Sequence, residues 1–484
     1  MTFTTLTYVL FLPLVFAVYW GLKEPRRQNV FLVVASYFFY GWWDWRFCGL
    51  MLFSSLVDYV AGRNLFRARQ VGPRRGWLLV SLVCNLGLLG FFKYFNFFAE
   101  NAVALASSIG LALDPFTVHV VLPVGISFYT FQTMSYTIDI YRGQLEPTDN
   151  LVDFLAFVAF FPQLVAGPIE RATNLIPQFT QPRRFELAEA REGCRQILWG
   201  FFKKLAVADQ LAPIVDTIYA SPDRVSGPTL IFATVCFAFQ IYCDFSGYSD
   251  IAIGTARLLG FRLMRNFAYP YFSQSLDEFW RRWHISLSTW FRDYVFIPLG
   301  GSRVSSGRKL ANILITFLVS GLWHGASWNF VVWGGLNGLG IVPASRASRR
   351  DRHGPPGGEG WLPSPAVALR MLATFAIICL TWVFFRARTL AQAVNVVATI
   401  LLQLFDLARW RATASVIANS GSEMLLPIAL TLGMVGLEWA HRERENPLGF
   451  PTWPRAVRWL FYSALLWLTL SVTRQTGPFI YFQF

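Results

Sequence analysis

Residues 309–340 have the sequence KLANILITFLVSGLWHGASWNFVVWGGLNGLG, a mostly apolar stretch whose ionisable residues are Lys309 and His324. Basic residues flank the stretch on both sides, at 303–309 and again at 346–350. A segment that starts and ends beside basic groups is typical of a helical hairpin that enters a membrane and returns to the same surface. We therefore predict a hairpin with His324 near its deep end.

The composition of the whole chain agrees with a membrane location. Of the 484 residues, 54% are hydrophobic and 14% are charged, and the mean hydropathy is +0.42. A soluble globular protein carries roughly a quarter charged residues, so there is too little polar surface here for a soluble domain. With about 20 apolar residues per span, we predict an all-α polytopic membrane protein with about 11–13 transmembrane and re-entrant helices. We expect a single membrane-embedded domain over residues 1–484.

The basic residues predict the orientation of the chain in the membrane. The net charge is +14, which in a soluble protein would indicate nucleic acid binding. Here the Lys and Arg residues cluster in alternate loops, at 22–28 and 63–75. The link at 43–46 has only two charged residues, Asp44 and Arg46. Cytoplasmic loops of membrane proteins are enriched in Lys and Arg. We therefore place the N-terminus outside the cytoplasm and predict no nucleic acid partner.

Ionisable groups inside apolar segments are costly to bury and are functional candidates. A low dielectric favours the neutral imidazole at His324, which is suited to take a proton from a hydroxyl. The alternative is a histidine that bonds a neighbouring helix. His284 lies in the segment 275–301, SLDEFWRRWHISLSTWFRDYVFIPLGG, beside Arg281 and Arg282. This amphipathic segment predicts a helix at an interface or a cavity, where His284 orients substrate or stabilises an oxyanion, or is simply an interfacial histidine.

Other polar residues in apolar context are candidates to line a pore or a substrate site. Asp244 and Asp250 either orient the histidines and line a polar path or pin a helix break around Gly247. The remaining candidates lie beside the two histidines: Trp323, Trp328, Asn329, Arg281 and Arg282. The two tryptophans are equally compatible with simple packing.

Several other functions are disfavoured by the sequence. The five histidines include no i,i+4 pair and no nearby Cys ligand, so we predict no metal site. The sequence has no phosphate-binding loop of the type GxxxxGK[ST], which argues against an ATP-driven pump. The glycines from Gly334 to Gly340 are better explained by close helix packing than by nucleotide binding.

Eight sequence blocks resemble a known family, the membrane-bound O-acyltransferases, and in particular the branch with bacterial alginate O-acetyltransferase and the D-alanyl transfer membrane protein. The blocks are FYGWWD (39–44), LPVGISFYTFQTMSYTIDIYRG (122–143), FVAFFPQLVAGPIER (157–171), DFSGYSDIAIG (244–254), NFAYPYFSQSLDEFWRRWHISLSTWFRDYVFIPLGG (266–301), SGLWHGASWNFVVWGG (320–335), WVFFRA (382–387) and FIYFQF (479–484). The similarity extends over nearly the whole chain.

The resemblance implies a ring of helices around a central pore, with His324 as the family's active histidine and His284 as the second histidine of this branch. It implies transfer of an acetyl group from a cytoplasmic thioester, expected to be acetyl-CoA, without a bound cofactor. The implied acceptor is an exported polysaccharide such as alginate, reached directly or through a periplasmic acetyltransferase partner. The implied location is the bacterial cytoplasmic (inner) membrane, in contact with lipid.

Two alternatives remain at this point. Within the family, the alternative is D-alanyl transfer from a carrier protein to a cell-wall polymer. From a different class, the alternative is a transporter without chemistry, because intramembrane His and Asp residues also suit a proton relay.

Overall fold

The structure is a computed structural model, and it describes the whole chain apart from residues 115, 119, 166, 345–359, 474–476, 478 and 481–484. The basic residues predicted to flank the hairpin at 346–350, and the last four residues of the block at 479–484, therefore lie outside the described residues. In the part of the chain that is described, the regular secondary structure is helical throughout. The predicted all-α class is confirmed.

The described residues form two compact units, one of residues 1–194 and 252–264 and the other of residues 195–251 and 265–484. The first unit contains α1 (Leu6–Gly21), α2 (Pro25–Asp44), α3 (Arg46–Arg67), α4 (Val71–Leu89), α5 (Phe95–Ser108), α6 (Ile126–Tyr141), α7 (Leu151–Ala159), α8 (Phe161–Leu164) and α9 (Ala172–Thr180). The helix α10 (Leu187–Phe201) contributes residues to both units. The single domain over 1–484 stays a prediction.

The second unit contains most of the remaining helices. They are α11 (Asp209–Ala220), α12 (Gly227–Leu258, whose last turns belong to the first unit), α13 (Leu276–Arg282), α14 (Ile285–Phe291), α15 (Ser306–His324), α16 (Trp328–Ala344), α17 (Pro365–Arg386), α18 (Leu390–Leu402), α19 (Leu407–Asn419), α20 (Ser422–Ala440) and α21 (Arg455–Val472). Short π-helical segments occur at Gly90–Tyr94, Phe202–Ala208 and Arg292–Phe296.

Several helices are suited to cross a membrane. Among the described residues, four helical segments are long and apolar enough by length and composition: Val71–Ser108, Gly227–Leu258, Pro365–Arg386 and Ser422–Ala440. The pair α18 and α19 passes the same test but bends by 110° between its halves. Short or bent helices at membrane depth are tolerated where they are buried in protein or line a cavity. The count of about 11–13 and the ring around a pore stay predictions.

In the first unit, a buried polar network joins α3, α4 and α6. The Ser81 hydroxyl donates to one Asp58 carboxylate oxygen over 2.5 Å, and the Asn85 amide donates to the other over 2.7 Å. Ser81 is also 2.8 Å from the Thr137 hydroxyl. Because hydrogen bonds between apolar helices satisfy polar groups that lipid would leave unpaired, this network holds the three helices together.

In the second unit, α15 and α16 form the predicted helical hairpin. Glycines allow the two backbones to touch: a Cβ added to Gly321 would collide with the Phe330 carbonyl oxygen, and one added to Gly334 would collide with the Phe317 carbonyl oxygen. Small residues permit this close approach, as predicted for Gly334. The hairpin turn follows His324, which is the last residue of α15.

The predicted helix break around Gly247 is wrong, because α12 runs through that residue without interruption. Gly247 instead packs against Gly200 of α10: a Cβ on Gly247 would lie 2.8 Å from the Gly200 carbonyl oxygen. The glycine therefore serves a close helix crossing, which depends on a residue 47 positions earlier in the chain.

Candidate functional site

His324 lies in an aromatic enclosure at the end of the hairpin. Its side chain is 3% exposed. The ring centres of Trp323 and Trp333 each lie 5.0 Å from that of His324, and the ring centre of Phe385 lies at 5.6 Å, all edge-on. The hairpin positions His324 and Trp333, and the end of α17 supplies Phe385. Aromatic walls exclude water from the imidazole and give it a low-dielectric surrounding.

His284 lies between α13 and α14, and its backbone is strained. Its φ is +44°, a left-handed backbone conformation that residues other than glycine rarely adopt, and its side chain is 1% exposed. Its Nδ1 lies 3.1 Å from the Asn266 Oδ1, and the Phe245 ring packs edge-on at 4.6 Å. Burial disfavours the charged form of the His284 ring. Strained backbone of this kind clusters at functional sites.

The fold brings the two candidate histidines together. Their ring centres are 6.5 Å apart, and the Trp323 ring contacts both, at 6.1 Å from His284. The two imidazoles are therefore close enough to contact the same bound molecule. The sequence separation of 40 residues is closed by the packing of α13 against the hairpin, where Trp280 contacts Phe317 and Trp333.

The two candidate aspartates are held by lysines. The Lys204 Nζ lies 2.6 Å from the Asp244 Oδ1 and 2.8 Å from the Asp209 Oδ1. The Lys203 Nζ lies 2.5 Å from the Asp250 Oδ2. These ion pairs, of which that of Asp244 is fully buried and that of Asp250 partly exposed, offer a structural explanation for both aspartates. Their predicted role in orienting the histidines or lining a polar path stays a prediction.

The remaining candidates near His324 have different surroundings. Trp323 is 3% exposed and contacts both histidines, whereas Trp328 is 55% exposed at the start of α16. The Asn329 amide donates to the Ala387 carbonyl over 2.7 Å and so ties α16 to the end of α17. The structure therefore brings Trp323 into the histidine pair and gives Asn329 a helix-joining contact.

The two candidate arginines lie on α13, which is amphipathic as predicted. Arg281 is paired with Asp277 over 2.8 Å, and Arg282 with Glu278 over 2.9 Å. The apolar side chains Phe279 and Trp280 of the same helix are buried.

A cavity of about 410 Å³ borders this helix and the hairpin. Its lining includes Arg281, Arg292, Ile285 and Ser320. Ile285 directly follows His284, and Ser320 lies one helical turn before His324 on α15. The lining carries two guanidinium groups, and it includes chain neighbours of both histidines but neither histidine itself.

Comparison with known proteins assigns the chain to a family. The model of the membrane-bound O-acyltransferase family matches residues 144–387, which include both histidines. The chain is 43% identical over 404 residues to the probable alginate O-acetylase AlgI of Azotobacter vinelandii, covering 83% of this chain and 77% of the relative. It is 38% identical to the protein of the same name from Pseudomonas putida, with 98% of each chain covered. The chain belongs to the membrane-bound O-acyltransferase family.

More distant relatives in the same family carry other acceptors in their names. A peptidoglycan O-acetyltransferase of Helicobacter pylori is 34% identical over 81% of this chain and 78% of its own length. Teichoic acid D-alanyltransferases also fall in this family. Membership confirms the predicted enzyme class: this multi-pass membrane protein is an O-acyltransferase, and a transporter without chemistry is excluded.

Within the part of the chain that the structure describes, no group of three or more His, Cys, Asp or Glu side chains is placed to hold a metal ion. The chemistry that the site offers is that of two buried imidazoles beside aromatic side chains. Such groups accept and return protons.

Two features of this site are not among the residues predicted from the sequence. The first is Asn266, the first residue of the block 266–301, which was not predicted as a site residue. Its contact to His284 depends on the tertiary fold. The lysines 203 and 204 interrupt the apolar run at 195–220. An ionisable pair in an apolar run is the same signal that singled out the histidines, so these lysines were predictable as partners for buried acids.

Proposed function

We propose that this O-acyltransferase moves an acetyl group from a cytoplasmic thioester, acetyl-CoA, to a hydroxyl on the other side of the membrane. The proposed acceptor is an exported polysaccharide of the alginate type, reached directly or through a periplasmic acetyltransferase partner. The observation that carries the proposal is the pair of buried histidines, 6.5 Å apart inside an aromatic enclosure. This arrangement brings two proton-exchanging groups close enough to act on one bound acceptor.

In the proposed reaction, His324 accepts the proton of the acceptor hydroxyl as its oxygen attacks the thioester carbonyl carbon. The new C–O bond gives a tetrahedral oxyanion, which hydrogen bonds in a low-dielectric site stabilise strongly. The C–S bond then breaks, and the thiolate leaves with the proton that His324 had accepted. His284 orients the acceptor or stabilises the oxyanion. General base catalysis contributes about 10²–10⁴-fold.

The cavity beside α13 supports a route for the donor. CoA carries phosphates at one end and the thioester at the other, and Arg281 and Arg292 place positive charge on the cavity lining. Guanidinium groups are well suited to bind phosphate. The α15 side of the cavity lining runs from Ile313 to Ser320, in the direction of His324 along the helix. We therefore place the phosphates of the donor beside the arginines and the thioester near the histidines.

The acetyl group is favoured over D-alanine by the pattern of similarity. The probable alginate O-acetylases match up to 98% of the chain, whereas the teichoic acid D-alanyltransferase of Streptococcus thermophilus matches 45%. We further propose that the protein lies in the bacterial inner membrane, with its N-terminus outside. The basic loops at 22–28 and 63–75 then face the cytoplasm, as positive residues do.

The function is tested with the purified protein in lipid vesicles. Acetyl-CoA labelled in the acetyl group is added on its own, with an alginate-type oligosaccharide, or with the oligosaccharide and a periplasmic acetyltransferase. We expect release of free CoA and label on the polymer only when an acceptor is present. A carrier protein charged with D-alanine serves as the competing donor. Transfer from that carrier, with acetyl-CoA left intact, would overturn the proposed donor and acyl group.

A further inference from the structure

Asn266 holds the strained turn around His284 with both its main chain and its side chain. The Asn266 carbonyl accepts the Ile285 N–H over 2.9 Å. Its side-chain Oδ1 accepts the Ser286 N–H over 3.2 Å and the Ser286 hydroxyl over 3.0 Å. The same Oδ1 lies 3.1 Å from the His284 Nδ1. One fully buried asparagine therefore contacts three consecutive residues of the turn, two of them through its side-chain amide.

The Ser286 N–H determines which way the Asn266 amide faces. A backbone N–H only donates, so the atom that it meets must be the amide oxygen and not the NH₂ group. The far side of the amide agrees, because Nδ2 is 3.2 Å from the Ser249 hydroxyl of α12, which accepts. The orientation of Asn266 is thus fixed by its neighbours and does not depend on His284.

An amide oxygen has no proton to give, so the His284 Nδ1 must be the donor in its contact with Asn266. A neutral imidazole carries one proton, and the proton on Nδ1 leaves a lone pair on Nε2. We infer that Asn266 is a positioning residue that locks His284 in the tautomer with Nδ1 protonated, which makes Nε2 the nitrogen that faces the reaction as an acceptor. The catalytic use of that nitrogen rests on the proposed function.

The tautomer assigns a definite role to His284. The single proton of the reacting hydroxyl goes to His324, so a ring with Nε2 unprotonated accepts a hydrogen bond from a second donor group of the acceptor and orients the acceptor in this way. It does not donate to an oxyanion while it stays neutral. Of the two predicted roles for His284, orientation of the acceptor is therefore the one that fits. Tautomer control through the second ring nitrogen is a general way to set which histidine nitrogen reacts.

Nitrogen NMR of the full-length protein tests the tautomer without any activity measurement. Protein with ¹⁵N- and ¹³C-labelled histidine is placed in lipid bilayers, and the His284→Gln spectrum identifies the His284 signals. Of the two ring nitrogens, only Nδ1 is bonded to Cγ, so a one-bond correlation to Cγ distinguishes them. We expect a protonated Nδ1 and an unprotonated Nε2 in the wild type. A protonated Nε2 would overturn the inference, even if the enzyme transfers acetyl groups as proposed.

Activity measurements then test whether Asn266 acts through His284. The Asn266→Leu variant has a similar shape but no acceptor, and we expect it to lose as much of kcat as His284→Ala. The double variant should lose no more than either single variant. Asn266→Asp keeps the oxygen acceptor and should retain at least about tenfold more kcat than Asn266→Leu, a modest share of what a positioned catalytic group supplies.

The matched control is Asn312→Leu, which removes another buried amide, one that donates to the Gly301 carbonyl. We expect folded protein with kcat within about twofold of the wild type, since the residue is not in the histidine site. Losses in Asn266→Leu and His284→Ala that multiply in the double variant would show that Asn266 does not act through His284. If Asn266→Leu does not fold, the wild-type nitrogen spectrum still decides the tautomer.

Discussion

The Lys204 Nζ lies 2.6 Å from the Asp244 Oδ1, and both side chains are almost completely buried. The same ammonium group contacts Asp209 and donates to the Gly477 carbonyl over 3.2 Å. The backbone N–H of Ile480 donates to the second Asp244 oxygen over 2.6 Å. One lysine therefore compensates two carboxylates and connects them to a segment near the end of the chain.

We predict that Lys204→Met lowers the stability of the folded protein and has no direct effect on the reaction. Removal of the ammonium leaves two buried carboxylates uncompensated, and breaking a buried ion pair costs about 3–5 kcal/mol. Thermal unfolding of the detergent-purified protein should show a clear decrease in Tm. The triple variant Lys204→Met, Asp209→Asn, Asp244→Asn should recover part of the lost stability. A Lys204→Met protein as stable as the wild type but inactive would instead place this cluster in the reaction.

Substitution of the two histidines should separate their roles. His324→Ala should abolish acetyl transfer while the protein remains inserted and folded, because no other group is proposed to accept the hydroxyl proton. For His284→Ala we expect a loss of about 10²-fold or more, with residual transfer, within the range of proton-exchanging groups. The measurement is CoA release in lipid vesicles. Full activity in His324→Ala would refute the proposed mechanism.

A related measurement distinguishes direct transfer from an acyl-enzyme route. If the acetyl group is first attached to His324, rapid quenching of the wild-type protein with labelled acetyl-CoA traps label on the protein. The direct route predicts no trapped label in the wild type. Label that is present in the wild type and lost in His324→Ala would favour the covalent route.

The kcat/KM for acetyl-CoA should depend on the free volume of the cavity beside the hairpin. Ser320→Phe places an aromatic ring in the cavity, one turn before His324, and we expect kcat/KM for acetyl-CoA to decrease by about tenfold or more, because small displacements at a reacting group are costly. Val319→Phe is the matched control, since the neighbouring side chain is 43% exposed. Equal kinetics for the two variants would show that the donor does not pass through this cavity.

The charge on the cavity lining gives a separate prediction. Arg281→Ala should raise the KM for acetyl-CoA several-fold with little change in kcat, because a phosphate contact is made equally in the bound state and the transition state. The effect should weaken in high salt. Arg409→Ala is the control: Arg409 is exposed and paired with Asp406, much as Arg281 is with Asp277. An unchanged KM in Arg281→Ala would contradict the placement of the donor phosphates.

The sequence was informative wherever local pattern determines structure. The hairpin and the location of His324 at the end of α15 follow from an apolar run with basic ends, and the amphipathic α13 follows from alternating charges and aromatic residues. Hydrophobicity and charge are enough for such elements, because each is set by residues close together in the chain.

The surroundings of Asp244 and Gly247 were not predictable in the same way. Asp244 is paired with Lys204, which lies in the π-helical segment after α10. Gly247 packs against Gly200 of α10. In both cases the partner lies more than 35 positions earlier in the chain. The surroundings of His284 were also not predictable, because its contact to Asn266 requires a left-handed turn that no local pattern indicates. Tertiary pairing decides these cases, and apolar periodicity carries no information about it.

The final prediction concerns the hairpin that positions His324. Gly334→Ala forces a methyl group against the Phe317 carbonyl of α15. Overpacking of this kind costs about 1–3 kcal/mol, so we expect a lower Tm. The separation of the two helices should also displace His324 relative to Trp333 and reduce kcat. Thermal unfolding and CoA release, measured on the same preparation, check both effects.

Gly335→Ala is the matched control, because a Cβ at Gly335 would meet the Leu318 side chain at an ordinary 3.5 Å. Alanine is also the better helix former by about 0.8–1.0 kcal/mol, so this variant should be as stable as the wild type or slightly more stable, with unchanged activity. If both variants behave alike, the backbone contact at Gly334 does not hold the hairpin, and His324 must be positioned by its aromatic neighbours.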